Sequence, residues 1–249
     1  MFASRTSSSP LLLGSWAAAF VLVLTIASCS CSVDAARAPP HPRDIFKSKF
    51  SAVGDSKVTV EYYEEALCPD CCAFGFREFD KGIEDFKDYI NVTVVPYGNA
   101  RYDESTDTYT CQHGPEECYL NRVQNCLAYY SSHDLDKYWP FFKCSDQVVS
   151  NNYPNINGIS KTVMTSCANT LPGLLTPDIL DSCATGGLGD ALYEKARLAT
   201  EALNPPHTFV PWVVIDGQAL EMKFNQFYDL LCNAVEAGNP SVTCSPSST

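Results

Sequence analysis

The sequence predicts an α/β fold in which a βαβ half and a ββα half are separated by a long helical, disulfide-stapled insertion. Three observations carry this. Segments rich in β-branched and aromatic residues open the folded part of the chain and return only near its end. A helical period of apolar residues follows directly on the first of them. Between the two halves, residues 100 to about 204 are dominated by helix start and stop signals.

Taken in order, KVTVEYYE (57–64) is the first strand, and a cysteine cluster follows it at once. CAFGFREFDKGIEDF then places Phe76, Phe79, Ile83 and Phe86 at helical steps of three and four. YINVTVVPYG (89–98) is the second strand, which makes the opening a βαβ unit and requires parallel pairing. In the insert, Thr176 with Pro177 marks a helix start and Gly186-Gly187 its end. A further helix runs from about Asp190 to Ala202, with Leu192, Ala196, Ala199 and Leu203 on one side, until Asn204-Pro205-Pro206 stops it. FVPWVVIDGQALEM (209–222) holds two short strands around the turn pair Asp216-Gly217. FNQFYDLLCNAVEAG closes with a helix whose apolar face includes Phe227, Leu230, Leu231, Ala234 and Val235. There is no internal repeat. This is the thioredoxin plan with an insertion between its halves.

The ends read differently. Arg5, an apolar run from Leu11 to Ile26 and small residues through Ala36 describe a secretory signal peptide (1–36). At 16 residues, interrupted by Gly14 and Ser15, the run is short for a membrane span, and no later segment is apolar enough for one. Residues 37–56 are rich in Pro, Ser and charge and read as a flexible leader or propeptide. The domain then covers 57–232, and 233–249 reads as a C-terminal tail open to trimming. A net charge of −12 argues against nucleic acid, which needs a basic surface. Removing the signal peptide takes Cys29 and Cys31 with it and reduces 13 cysteines to 11. So many imply an oxidising compartment. The odd count leaves one thiol over or one intermolecular bond, and hence the option of a disulfide-linked dimer.

Chemistry concentrates in Cys68-Pro69-Asp70-Cys71. A cysteine where a strand meets a helix N-terminus sits among unpaired N–H groups that favour an anion, and the thiolate is the nucleophile. Cys68 is therefore the candidate nucleophile. Cys71, one turn on, can displace it from a mixed disulfide. Pro69 suits the first helical turn, where its missing N–H costs nothing. The Asp70 carboxylate is expected to disfavour the thiolate and so make the pair more reducing. Two other readings exist: half of a zinc site, which would need a second short-spaced pair, and an inert structural bridge. Val210-Pro211 weighs against the latter. In thioredoxin-like sheets a cis proline precedes the third strand and lies against the active CxxC, and Pro211 directly precedes the apolar run Trp212–Ile215.

Residues 111–126 read CQHGPEECYLNRVQNC, Cys-Gln-His-Gly, two residues, Glu-Cys, two residues, Asn, four residues, Cys. Together with YYEEALCPDC, VTVVPYGNA (92–100), LNPPHTFVPWVVIDG (203–217) and the late pair Cys232 and Cys244, this resembles the gamma-interferon-inducible lysosomal thiol reductase (GILT) family over about residues 58–244. The resemblance implies a soluble, glycosylated reductase made as a precursor, active at acid pH in a lysosome- or vacuole-like compartment or secreted. It places catalysis on Cys68 and Cys71 and the cis proline at Pro211. It implies protein disulfides as substrates, a small-thiol or protein electron donor, and neither metal nor organic cofactor. Asn91-Val92-Thr93 is the one glycosylation sequon.

The signature itself is expected to be structural. If residues 116–130 are helical, Cys118 and Cys126 lie about 12 Å apart and cannot pair. Gln112, His113 and Glu117 can cap that helix or line the cleft, with the structural role preferred for His113. The pairing of Cys111, Cys118, Cys126, Cys144, Cys167, Cys183, Cys232 and Cys244 stays open otherwise. Cys72 reads either as a small core residue or, at helical reach of Cys68, as a second resolving thiol. The expected function is thiol-disulfide oxidoreduction. The competing readings are a secretory-pathway oxidase or isomerase, although SPSST carries no retention signal, and a non-catalytic disulfide-rich binding protein.

Overall fold

The computed structural model describes residues 57–221 and 224–244; the signal peptide, the leader and the last five residues of the tail lie outside the described residues. Strand β1 (Val58–Glu64) is the centre of the architecture. It pairs in parallel with β2 (Ile90–Pro96), Val58 opposite Ile90 through Glu64 opposite Pro96. On its other edge it pairs antiparallel with β5 (Trp212–Ile215), Tyr63 opposite Trp212. With β6 (Gln218–Ala219) the sheet order is β2-β1-β5-β6. The β5–β6 turn has Asp216 at φ 46° and Gly217 at φ 72°, the left-handed pair a two-residue hairpin demands. Asp216 offsets its strained backbone by accepting from Thr59 N and Oγ1, at 2.7 and 3.0 Å, which ties the turn to β1.

The helix after the cysteines is not one regular helix. It comprises α1 (Pro69–Phe74), a π-helical turn (Gly75–Phe79) and α2 (Asp80–Phe86). The wide turn shifts the apolar face by a residue, so Phe74, not the expected Phe76, joins Phe79, Ile83 and Phe86 inside. An insert side chain occupies the space beside Gly75, the first residue of this turn. A Cβ there would lie 2.2 Å from Asp146 Oδ2.

The insert begins with a hairpin that the sequence reading missed, β3 (Arg101–Asp103) and β4 (Thr108–Thr110), closed by stacking of Tyr102 on Tyr109 at 4.8 Å. Five helices follow: α3 (Pro115–Tyr130), α4 (Leu135–Asn152), α5 (Ile159–Ser166), α6 (Pro177–Ala184) and α7 (Gly187–Glu201). Thr176 caps α6 as expected, its hydroxyl accepting from Ile179 N at 3.3 Å. Glu116, from the first turn of α3, accepts from Gly158 N at 2.6 Å and Ser160 N at 2.8 Å and so caps α5 from outside. The last helix, α8 (Phe227–Gly238), extends six residues beyond the expected domain edge, and Cys232–Cys244 ties the following segment back to it. No helix among the described residues is long and apolar enough to cross a membrane.

Both faces of the sheet are buried. Tyr62 points into a core of Phe74, Phe79, Trp139 and Phe227, with Tyr62–Phe79 centroids 4.5 Å apart. Its neighbour Tyr63 points to the other face, among Tyr97, Tyr193 and Trp212. Tyr193 is fully buried and was absent from the expected apolar stripe of its helix.

The remaining disulfides are Cys111–Cys118, Cys126–Cys183 and Cys144–Cys167. They join α3 to the strand before it, α3 to α6, and α4 to the end of α5. Cys126–Cys183 closes a separation of 57 residues and Cys144–Cys167 one of 23. Chain-entropy arguments value these at about 4 and about 3 kcal/mol. Replacing both members of Cys126–Cys183 with Ala is therefore expected to lower the urea midpoint more than the same change at Cys144–Cys167. The reverse order in equilibrium unfolding would show that strain, not loop closure, sets their contributions.

Candidate active site

Because β1 and β5 are antiparallel, the exit of β1 and the entry of β5 emerge from the same end of the sheet. This brings Cys68 beside Val210 and Pro211. Cys68, Cys71 and Val210 form a small buried cluster of their own, with Cys68 Sγ 4.0 Å from Val210 O. The Val210–Pro211 peptide is cis and Pro211 is buried. Cys68 is the N-cap of α1, with extended backbone (φ −70°, ψ 119°), and its sulfur accepts from Cys71 N at 3.2 Å. Pro69 occupies the first helical turn, and Asp70 stands exposed in the same turn. Tyr62 Oη donates to Cys71 O at 3.0 Å and holds the helix onto the sheet.

Both members of the pair are free thiols, and their surroundings differ. Burial pushes the Cys71 thiol well up, and the hydrogen bond and charge of Cys68 and the charge of Glu64 push it further. Burial therefore holds the proton on the Cys71 sulfur, while the Cys71 N–H points at Cys68. Behind the pair lie two acidic groups that the sequence reading passed over. Glu64 ends β1 and Asp146 comes from α4; both are buried. Burial raises Glu64 far above the usual carboxylate range, and Asp146 and Cys68 add to this. Burial likewise raises Asp146, while its hydrogen bond with Cys72 opposes.

Cys72 lies in the large core, apart from the cluster that holds Cys68 and Cys71. Its thiol donates to Ala66 O at 3.7 Å, and burial followed by the charge of Asp146 pushes it well up. Full burial leaves it no access to another chain. This geometry matches the small-core-residue reading of Cys72 and offers nothing for a second resolving thiol.

The signature segment holds the approach to Cys68. Asn121 Oδ1 accepts from Ala66 N at 2.9 Å, two residues before Cys68. Asn125 Nδ2 donates to Pro96 O at 2.9 Å, fixing α3 to the end of β2. Gln112 Oε1 accepts from Asn99 Nδ2 at 2.7 Å. Glu117 accepts from His113 N at 3.0 Å and pairs with His113 Nδ1 at 2.6 Å. Glu65 Oε1 accepts from Asn99 N at 2.6 Å. Burial, with the charge of Glu117, pushes Glu65 up to about 8 against that hydrogen bond. Asn91 stands apart, exposed on the edge strand β2 opposite Thr59, at the end of the sheet away from Cys68. Glu64, Glu65 and Asp146 had only weak signals in the sequence: acids in the last positions of a strand, and one acid on the apolar side of a helix.

The sequence profile of the gamma interferon inducible lysosomal thiol reductase (GILT) family matches residues 59–171. A "gamma-interferon-inducible lysosomal thiol reductase" of Carassius auratus is 31% identical over 242 residues, covering 88% of this chain and 89% of that one. The Mus musculus protein of the same name is 30% identical over 192 residues, 76% of this chain and 72% of that one. The fold is similar to BdbD of Bacillus subtilis (18% identity, TM-score 0.52, 75% of this chain and 89% of that one). It is also similar to DsbA of Chlamydia trachomatis (14% identity, TM-score 0.53, 73% and 88%).

A carboxyl whose pKa is raised on folding binds more protons in the folded state, so stability falls as pH rises between its unfolded and folded values. Glu65 sets this window, from 4.5 to about 8, and Glu64 and Asp146 act in the same direction. Glu194, pulled down to about 2 by Arg197 and Tyr109, acts only below it. Burial lowers His133 and His207, which oppose the trend below 6.5 but are outweighed by the three raised carboxyls. Urea unfolding should therefore give a higher stability at pH 5 than at pH 8, and Glu64→Gln should narrow the difference. Equal stabilities at the two pH values would contradict the burial of these carboxyls in protonated form.

Proposed function

The chain belongs to the gamma-interferon-inducible lysosomal thiol reductase family, and from that premise we propose that it reduces protein disulfides in an acidic, lysosome-like compartment, with Cys68 as nucleophile and Cys71 as resolving thiol. The observation that carries the assignment of roles is the asymmetry of the pair. Cys68 caps α1 with the Cys71 N–H on its sulfur, beside the Val210–Pro211 loop, whereas burial keeps the proton on Cys71.

In this reading the Cys68 thiolate attacks one sulfur of a substrate disulfide. The substrate S–S bond breaks, a mixed disulfide forms, and the departing thiolate takes up a proton. Cys71 then gives up its proton and attacks the Cys68 sulfur. The second substrate thiol leaves, and the enzyme holds a Cys68–Cys71 disulfide. Two electrons have passed to the substrate, and an external thiol returns them to the enzyme. No metal or organic cofactor enters these steps. Val210 and Pro211 offer the surface against which an extended substrate segment lies next to Cys68. Setting in an acid compartment is supported by Glu64, Glu65 and Asp146, whose raised pKa values leave them neutral there. The four disulfides among the described residues fit passage through an oxidising compartment, and the exposure of Asn91 suits its glycosylation.

Insulin reduction with a thiol donor, measured at pH 5 and pH 7, tests the proposal. Turnover should favour pH 5 and fall by at least about a thousandfold in Cys68→Ser. Cys71→Ser should accumulate a mixed disulfide with substrate. Full turnover in Cys68→Ser would end the proposal; a fully bridged binding protein would show no turnover at either pH.

A further inference from the structure

Three side chains converge in a way that redox chemistry does not use. Glu65 follows β1 directly, His113 precedes α3, and Glu117 lies in the first turn of α3. Both carboxylates are fully buried, and each has one oxygen fixed by a backbone N–H: Glu65 Oε1 by Asn99, Glu117 Oε1 by His113. Their other oxygens turn to the same nitrogen. His113 Nδ1 lies 2.6 Å from Glu117 Oε2 and 3.7 Å from Glu65 Oε2. One imidazole N–H serves only one of them, and Glu65 Oε2 has no hydrogen-bond partner among the described residues. A buried carboxyl oxygen in that position is satisfied by the proton that burial favours, or by a metal ion that displaces that proton.

We propose that Glu65, His113 and Glu117 form a binding site for a divalent transition-metal ion of the zinc type. The ligand atoms all lie within 4.8 Å of one another. An ion about 2.0–2.1 Å from each of three tetrahedral ligands sets them about 3.3 Å apart. The two His113 separations, 2.6 and 3.7 Å, bracket that spacing, so small side-chain rotations suffice. One imidazole nitrogen with two carboxylate oxygens suits Zn²⁺ or Co²⁺; Ca²⁺ takes six to eight oxygens. The backbone N–H bonds to Oε1 of each Glu are the outer hydrogen bonds that orient metal ligands. Bound there, the ion links the end of β1, three residues before Cys68, to the start of α3. It takes no part in the thiol chemistry, and its presence is independent of the reductase reading.

The test uses the full chain carrying Cys68→Ser and Cys71→Ser, so that the reactive thiols offer no competing ligands. Equilibrium dialysis against Zn²⁺ at pH 7 should give one ion per chain, and Zn²⁺ should raise the thermal midpoint. Co²⁺ should produce visible ligand-field bands without the near-ultraviolet charge-transfer band of a thiolate ligand. His113→Gln, at a partly exposed position, and Glu65→Gln should each weaken binding at least about tenfold while circular dichroism stays native. Should Glu65→Gln fail to fold, His113→Gln alone decides. Absence of stoichiometric binding at millimolar Zn²⁺, a thiolate band with Co²⁺, or undiminished affinity in folded His113→Gln would each overturn the site.

Discussion

Strand β1 has no free edge, and the rest of the molecule follows from that. It is bonded to β2 in parallel and to β5 antiparallel, and its alternating Tyr62 and Tyr63 anchor the cores on the two faces. A strand held on four sides cannot slide, because a slip of one residue would exchange its faces. What leaves its C-terminal end is therefore placed with the accuracy of the sheet. Cys68 is four residues beyond that end and Pro211 is one residue before the start of β5. The two come together because of strand direction, with no contribution from local sequence between them.

The same constraint explains the acidic residues behind the cysteines. The end of a central strand is buried, so Glu64 and Glu65 are carried into the interior with it. In such surroundings a carboxyl is neutral unless a counter-charge is supplied. Glu64 faces other acids and a thiol, Asp146 first and then Cys68, whereas Glu65 also lies 3.7 Å from His113 Nδ1. Acid conditions suit the first arrangement by supplying protons. The second arrangement is distinct, since its acceptors converge on a point and each is oriented by the backbone.

Much of this was legible in the sequence, for identifiable reasons. The strands, the hairpin at Asp216-Gly217, the capped helix at Thr176 and the pairing of Cys68 with Pro211 rest on local chemistry or on a topology with few alternatives. Helical spacing alone separated Cys118 from Cys126, and in the structure they bond to Cys111 and Cys183. What was not legible depends on distant contacts. Phe74 faces inward in place of Phe76 because the helix widens into a π turn over Gly75–Phe79, where Asp146, more than 70 residues away in sequence, packs against Gly75. The β3–β4 hairpin is short, and its stability comes from Tyr109 packing on Tyr193 of α7 at 4.7 Å. Cys72 could be read either way until its surroundings were known, because helical spacing alone allows it within reach of Cys68.

The insert is therefore part of the site and not an addition to it. It supplies Asn121 to the loop before Cys68, Asp146 to the space behind Cys72, and His113 and Glu117 to Glu65. Each of these contacts crosses from the insert to the end of β1 or the start of α1, so each depends on how the insert sits on the sheet. α3 and α4, which carry Asn121 and Asp146, are also the helices stapled outward by Cys126–Cys183 and Cys144–Cys167. Those bonds touch no reacting atom. Their value to the chemistry is positional: they restrict where α3 and α4 can lie, and through Asn121 and Asp146 that restriction reaches the cysteines. The disulfide-bonded cysteines thus act on the site only through the positions of the helices they join.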